Sequence, residues 1–134
     1  MKSGLRVVLL EEEGLVRNVL VKALADWGYA CEVPEDEDAA WAAVRGDAAP
    51  TAVVADWHTD ILDCGDFFRK VRRAGEHCHL VAGIPRSGAD GIRVCIRAGA
   101  HDFVYRPYNL DEVRVRLHAI GRIMGLPGDS LSFD

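Results

Sequence analysis

Short apolar runs alternate with segments of helical periodicity along most of this 134-residue chain, and this alternation limits the possible folds more than any other feature. Strands and helices in strict alternation predict a parallel sheet with helices on both faces and right-handed crossovers. The predicted strands are Leu5–Leu10, Ala30–Val33, Thr51–Ala55, Leu80–Ile84 and His101–Tyr105. The predicted helices are Gly14–Trp27, Asp36–Arg45, Asp63–Ala74, Gly88–Ala98 and Leu110–Met124. The chain therefore contains five βα units in series.

Five βα units in a chain of this length favour an α/β fold of the flavodoxin-like type: a doubly wound, five-stranded parallel sheet with order 2-1-3-4-5. Residues 1–124 are predicted to form one domain, and residues 125–134 a flexible tail. The first helix is expected to bury one apolar face. That face comprises Leu15, Val16, Val19, Leu20, Ala23, Leu24 and Trp27.

Polar and glycine residues mark several predicted helix ends. Gly46 is expected to end the second helix, and Ser87 to cap the fourth. Asn109 followed by Glu112 resembles a capping box at the start of the fifth helix.

Acidic residues directly follow two of the predicted strands. Glu11 and Glu12 follow the first strand, and Asp56 follows the third. In this strand order the two strands are neighbours, and open parallel sheets bind ligands outside the carboxyl ends of their strands. Converging carboxylates repel one another unless a cation lies between them. The sequence therefore predicts a site for a divalent metal ion and a phosphoryl group.

Composition excludes several other classes of protein. No apolar stretch approaches the roughly 20 residues of a membrane span, and none resembles a signal-peptide core, so a cytoplasmic protein with no membrane contact is expected. The four cysteines form no C-x-x-C pair and are expected to be reduced and partly buried. The chain lacks G-x-G-x-x-G and Walker sequences, which argues against nucleotide binding.

The chain resembles the receiver domains of two-component response regulators over about residues 5–124. The resemblance depends on the Glu11-Glu12 pair, on Asp56, on the Ala98-Gly99-Ala100 turn and on the Arg106-Pro107 pair. Each of these marks is weak alone, but their order and spacing together are specific.

The resemblance implies a signalling protein rather than an enzyme. A histidine kinase or phosphotransfer protein would transfer a phosphoryl group to Asp56, in a phosphorelay. Mg²⁺ would be held by Glu11, Glu12, Asp56 and the backbone carbonyl of His58. Three further positions match family positions: Arg106 stands where a lysine contacts the phosphoryl group, Ile84 where a Ser or Thr switches, and Phe103 where an aromatic ring changes rotamer.

Three of these residues depart from the family pattern. Glu12 is one methylene longer than the usual aspartate, which is expected to weaken Mg²⁺ binding. Ile84 has no hydroxyl to bond a phosphoryl oxygen, so switching is expected to be weak. Arg106 keeps the positive charge but presents a planar fork, and can pair with Asp56 as a built-in counterion.

Receivers usually meet partners or each other through the fifth strand and its flanking helices. In this chain that surface is expected to include Arg93, Arg97, Tyr105 and Arg114. Residues 1–67 carry a net charge of −9 and residues 68–134 a net charge of +4. The arginines form either a solvated face or a basic face for an acidic partner. A downstream protein partner and a homodimer are both compatible with this surface, whereas no segment remains for a DNA-binding helix-turn-helix.

Two alternatives to a phosphorylated single-domain receiver remain open at this stage. One is a pseudo-receiver that acts by protein contacts without phosphorylation. The other is a phosphatase-type enzyme that uses Asp56 as its nucleophile. Against the enzyme, His58 rather than a general acid stands two residues after Asp56, and the chain has no cap domain.

Overall fold

The structure is a computed structural model that describes residues 4–45, 50–86 and 89–126. Its strands are β1 (Arg6–Leu10), β2 (Ala30–Glu32), β3 (Thr51–Asp56), β4 (Cys78–Pro85) and β5 (Asp102–Arg106). Its helices are α1 (Leu15–Asp26), α2 (Glu37–Val44), α3 (Cys64–Arg73), α4 (Ala89–Ala98) and α5 (Leu110–Ile123). All ten elements were predicted, and none of their ends differs from the prediction by more than two residues.

The five strands form one parallel sheet in the order β2-β1-β3-β4-β5, as the sequence predicts. In the register of this sheet, Leu10 pairs with Ala55, and Asp56 pairs with Gly83. The residues that follow β1 and β3 therefore lie at the same edge of the sheet. This architecture is the flavodoxin-like α/β fold.

Alternate residues of the strands point to opposite faces, and each face carries one apolar cluster. On one face Val8, Val53 and Leu80 pack with residues of α2, α3 and α4, including Phe67 and Phe68. On the other face, strand residues pack with α1 and α5. These are Val7, Leu9, Ala52, Val54 and Val81 from the sheet, with Leu20, Leu24, Val113, Leu117 and Ile120 from the helices. Helices therefore cover both faces, as predicted.

The prediction for the buried face of α1 is wrong for its amino-terminal half. Leu15, Val16 and Val19 are exposed by 77%, 44% and 43%. Within α1 burial begins only at Leu20, and the buried residues of the helix are Leu20, Ala23 and Leu24. The periodic pattern was present, but it extended beyond the part of the helix that packs on strands.

Side-chain caps begin three of the helices. Asp36 Oδ1 accepts a hydrogen bond from the Ala39 N–H at 2.7 Å, and Asp63 caps α3 in the same manner. Asn109 Oδ1 accepts from the Glu112 N–H at 3.0 Å, which confirms the predicted cap of α5. Each cap pairs an N–H that the helix itself leaves without a partner.

Three sequence predictions lie wholly or partly outside the described residues. These are the helix end at Gly46, the cap at Ser87, and all but the first two residues of the tail 125–134. The Leu126 N–H donates to the Gly121 carbonyl at 2.9 Å, so residue 126 still contacts the end of α5. All four cysteines are unpaired; Cys31 is half-buried and the other three are buried, as expected.

A pair of histidines stacks where β4 meets the turn before β5. The rings of His79 and His101 lie 4.4 Å apart between centroids. The Leu80 N–H donates to His101 Nδ1 at 2.9 Å, an arrangement that requires a neutral ring nitrogen. His101 as a whole is exposed, but desolvation of its stacked ring, together with His79 and Arg72, lowers the pKa of His101 to about 4.

Candidate functional site

One guanidinium lies between two carboxylates at the carboxyl edge of the sheet. Glu11 directly follows β1, Asp56 ends β3, and Arg106 ends β5. Arg106 Nη1 lies 2.8 Å from Glu11 Oε1 and donates to Glu11 Oε2 at 3.0 Å. Arg106 Nε lies 3.7 Å from Asp56 Oδ1. The fold therefore brings these three side chains, far apart in sequence, to one place.

Glu11 is almost fully enclosed, since the residue is only 3% exposed. The Tyr108 hydroxyl donates to Glu11 Oε2 at 3.0 Å, and the Arg106 guanidinium lies over the Tyr108 ring, 4.6 Å from its centroid. Burial raises the pKa of Glu11, and it outweighs the opposing effects of Arg106 and Tyr108. A negative charge at Glu11 is therefore costly to hold unless both donors remain in place.

Glu12 points to the loop that follows β3. Glu12 Oε1 accepts from the Asp60 N–H at 2.6 Å and from the Thr59 hydroxyl at 3.3 Å. Thr59 is buried, whereas Glu12 is exposed. Glu12 thus fixes the shape of the β3–α3 loop, and Glu13 beside it is exposed to solvent.

The Asp56 carboxylate remains reachable from solvent, with 19% of its side chain exposed. Its Oδ1 accepts from the His58 N–H at 3.2 Å. The His58 side chain is exposed beside it. Trp57 flanks the site and packs edge-on against Phe68, with centroids 5.4 Å apart. Asp56 therefore combines access, a nearby positive charge and a fixed backbone.

The two positions that correspond to the switch residues lie in or against the core. Ile84 is 1% exposed and packs in the same cluster as Cys64 and Phe68. Phe103 is half-buried and packs edge-on against Tyr105, with centroids 5.4 Å apart. The side chain of Ile84 therefore belongs to the apolar interior, as its chemistry requires.

The structure separates the residues predicted to border a partner surface. Arg93 and Arg97 are exposed on α4, which contacts β5. Tyr105 is half-buried on β5, and the Arg86 guanidinium lies 4.3 Å from its ring centroid. Arg114 lies instead over Trp27 at the end of α1, 5.7 Å from the ring centroid. Only the first three share the side of the molecule formed by α4 and β5.

The acidic side chains, as they are arranged, do not fit a Mg²⁺ ion. Mg²⁺ requires near-octahedral oxygen ligands at about 2.0–2.1 Å. Both carboxylate oxygens of Glu11 are bonded to Arg106, and Glu12 is bonded to the β3–α3 loop. Within the part of the chain that the structure describes, no three His, Cys, Asp or Glu side chains form a group that could hold a metal ion.

Sequence reasoning missed Tyr108, Thr59 and Gly83 as parts of this site. An ideal Cβ built on Gly83 would lie 2.4 Å from the Tyr108 hydroxyl oxygen, so the phenol occupies space that a side chain would fill. Glycine inside an apolar strand often marks the close approach of another group, and this was the available signal. Spacing along the chain gave no signal for Thr59.

Sequence comparison connects the chain with response regulators. No protein-family model matches it. The transcriptional regulatory protein TcrA of Mycobacterium tuberculosis is 29% identical over 125 residues, which cover 93% of this chain and 49% of TcrA. The response regulator MprA of Mycolicibacterium vanbaalenii is 27% identical over 117 residues, which cover 87% of this chain and 50% of MprA. The chain thus spans about half the length of the curated relatives it matches.

Solved structures share the same fold. The receiver domain of the sensor histidine kinase PA1611 from Pseudomonas aeruginosa has a magnesium ion in its active-site cleft. It matches with a TM-score of 0.75 and 20% identity, over 89% of this chain and 98% of that one. The receiver domain of the response regulator TorR matches with a TM-score of 0.76 and 19% identity, over 86% and 94% of the two chains.

Fold, site position and sequence similarity agree on one class of protein. The chain is similar in sequence to response regulators of two-component signalling, and it has the fold of their receiver domains. Response regulators interact with histidine kinases and with downstream targets, and receiver domains are generally signalling modules rather than enzymes. In the described part of the chain, no helix has the length and apolar character needed to cross a membrane.

Proposed function

We propose that this receiver accepts a phosphoryl group on Asp56 from a histidine kinase or a phosphotransfer protein, and signals through contacts with a downstream protein. The observation that carries this proposal is the position of Asp56. Its carboxylate is reachable at the carboxyl edge of the sheet and lies beside a positive charge, with Arg106 Nε at 3.7 Å. A carboxylate nucleophile next to a fixed cation suits the transfer of a phosphoryl group.

The transfer would form a bond between an Asp56 oxygen and phosphorus while the phosphorus–nitrogen bond of the donor phosphohistidine breaks. The electron pair of that bond stays with the imidazole nitrogen, and Asp56 becomes an acyl phosphate. Arg106 would contribute its planar fork of N–H donors to the phosphoryl oxygens as charge moves onto them. The His58 N–H, already bonded to Asp56 Oδ1, would hold the carboxylate in position.

Weak Mg²⁺ binding and weak switching belong to the same proposal. Glu11 and Glu12 are bonded to protein donors, so the ion would compete with those bonds. The apolar, buried Ile84 offers no hydrogen bond from β4 to a phosphoryl oxygen. A phosphoryl group shifts the equilibrium between two conformations of the protein only if it interacts more favourably with one of them. Titration with beryllofluoride should therefore produce only small amide shifts near Phe103, and shifts as large as in an ordinary receiver would contradict this.

The remaining parts of the proposal concern surroundings and partners. The protein would act in the cytoplasm, without binding nucleic acid or a membrane and without enzymatic turnover. Its partner surface would be the side formed by α4 and β5, where Arg93 and Arg97 are exposed. A homodimer through the last strand and its neighbouring helices would use the same side.

One observation favours the alternative of a pseudo-receiver that works without phosphorylation. Arg106 already supplies a positive charge to both Glu11 and Asp56, which is the charge that a metal ion would otherwise supply. A site balanced in this way is stable without metal or phosphate, and such a protein would present one fixed surface to its partner.

Phosphate uptake from a small acyl phosphate, measured by intact-protein mass spectrometry, separates these two functions. The wild type should gain one phosphoryl group, and Asp56→Asn should gain none. Asp60→Asn is the matched control, because it removes an exposed carboxylate four residues away and should leave uptake unchanged. Uptake by Asp56→Asn would contradict the assignment of the acceptor. No uptake by the wild type, with either an acyl phosphate or a phosphohistidine donor, would favour the pseudo-receiver.

A further inference from the structure

The phenol of Tyr108 lies beside the strand partner of the candidate acceptor. Gly83 pairs with Asp56 in the sheet register and is buried. A Cβ at position 83 would lie 2.4 Å from Tyr108 Oη, 2.8 Å from Cε1 and 2.9 Å from Cζ. The ring can therefore occupy this position only because residue 83 has no side chain. The absence of that side chain is what places a hydroxyl at the carboxyl edge of the sheet.

The Tyr108 hydroxyl serves as a hydrogen-bond donor to Glu11. Its oxygen lies 3.0 Å from Glu11 Oε2, the oxygen that also accepts from Arg106. Burial and the charge of Glu11 raise the pKa of the phenol, so that it keeps its proton at neutral pH. The face of the same ring lies under the Arg106 guanidinium. Tyr108 thus contacts both members of the ion pair, once through its hydroxyl and once through its ring.

Arg106, Glu11 and Tyr108 form a unit that we name the Glu11 clamp. Arginine stays protonated at all relevant pH values, and in this structure Nη1 of Arg106 contacts both Glu11 oxygens while Nε faces Asp56. Separating a buried carboxylate from its partners leaves an uncompensated charge, which is strongly destabilising. The clamp therefore opposes withdrawal of Arg106 from Glu11, and a metal ion would have to displace the contacts of Arg106 and Tyr108 to reach the Glu11 oxygens.

We propose that Tyr108 is a positioning residue of the acceptor site: through Glu11 it holds Arg106 beside Asp56 as the resident cation, in place of a divalent metal ion. The misfit between the carboxylates and Mg²⁺ then has a specific cause. Glu11 is withheld from metal by the clamp, and a cation that enters the site must first break two sets of protein contacts. The inference rests on the proposed function for its biological meaning, but it makes a claim about metal affinity that does not involve phosphorylation.

Mg²⁺ titration of the full chain, followed by amide NMR shifts of residues 11, 12 and 56–58, tests the clamp. Tyr108→Phe removes only the hydroxyl and keeps the ring, so no charge changes. It should bind Mg²⁺ about tenfold more tightly than the wild type, because Arg106 is then held less firmly against Glu11; coupled residues of one hydrogen-bond network typically show effects of this size. Tyr29→Phe makes the same chemical change away from the clamp, ahead of β2, and should leave the affinity unchanged.

A double-mutant cycle with Arg106→Gln separates positioning from a general loosening of the fold. Once Arg106 is replaced, removal of the Tyr108 hydroxyl should change Mg²⁺ affinity by less than about threefold, because there is no longer a guanidinium to hold. An equal effect of Tyr108→Phe in both backgrounds would overturn the inference. The inference would also be overturned if Tyr108→Phe bound Mg²⁺ no more tightly than the wild type. The same holds if Tyr29→Phe gained as much Mg²⁺ affinity as Tyr108→Phe.

Gly83→Ala provides a second route to the same result if Tyr108→Phe does not fold. The added methyl group would push the phenol out of its position, and Mg²⁺ affinity should rise as in Tyr108→Phe. An unchanged affinity in folded Gly83→Ala would overturn the inference. A wild type that takes up no phosphoryl group, while Tyr108→Phe still gains Mg²⁺ affinity, would remove the proposed function and leave the clamp intact.

Discussion

The environment of Ile84 can be measured by replacing this residue with two side chains of equal size. Ile84 is 1% exposed and packs among apolar residues of α3 and β5. Ile84→Val removes one methylene and should cost about 0.5–1.5 kcal/mol of unfolding free energy. Ile84→Thr has nearly the shape of valine but places a hydroxyl in the same apolar surroundings. Burying an unpaired hydroxyl costs roughly 1–3 kcal/mol more, judged from protein mutational data.

The unfolding free energy of Ile84→Thr should therefore be about 3 kcal/mol lower than that of the wild type, and that of Ile84→Val about 1 kcal/mol lower. Urea denaturation followed by circular dichroism measures both values. The unfolding free energy falls by about 1–3 kcal/mol per molar urea, so the urea midpoint of Ile84→Thr should lie roughly 1–3 M below that of the wild type. The difference between the two variants isolates the hydroxyl, since their volumes match.

Equal stability of the threonine and valine variants would refute this reasoning. It would mean that the hydroxyl finds a polar partner, and that position 84 faces the acceptor site instead of the core. The argument for weak switching would then lose its structural basis. The beryllofluoride response of the folded threonine variant provides an independent comparison at the same position.

Three other predictions concern stability. Because the folded state keeps His101 neutral, with a pKa of about 4, its contribution to stability is complete above pH about 6.5 and is lost as the pH falls towards 4. Urea denaturation at several pH values in this range should show that the unfolding free energy of His101→Asn depends less on pH than that of the wild type. The amide oxygen of the new side chain can still accept the Leu80 N–H. Identical pH dependences of the two proteins would contradict the prediction. Asp36→Ala should cost about 1 kcal/mol through loss of the α2 cap, and more than Asp38→Ala in the same turn; equal midpoints would refute the cap. Leu15→Ser, at a 77% exposed position, should change stability by no more than about 0.5 kcal/mol, and a larger loss in thermal denaturation would show that Leu15 is packed.

The fold could be predicted because local signals and the global pattern agree in most places. Short apolar runs gave the buried strands, and residues such as Asp36 and Asn109 marked helix starts with side chains that do cap them. The first helix is the exception. Apolar periodicity shows which residues share a face, but it does not show how far the sheet extends beneath that face, so Leu15 and Val19 were wrongly placed inside.

The candidate site was predictable only in part. The convergence of Glu11, Asp56 and Arg106 follows from strand order, because parallel strands end at one edge. The contact between Tyr108 and Glu11 depends instead on the space above Gly83, which is a property of three-dimensional packing and not of spacing along the chain. Whether Asp56 is phosphorylated is a question of reactivity that strand order does not address.

The contact between Tyr108 and Gly83 also offers a means of recognising other proteins with this arrangement. A tyrosine at position 108 can deliver its hydroxyl to Glu11 only where residue 83 is glycine, since a methyl group there would overlap the phenol. In a homologue with a residue bulkier than glycine at position 83, an aromatic ring at position 108 would have to adopt another orientation. Database searches should therefore require the two residues jointly, together with an arginine at 106, rather than any one of them alone.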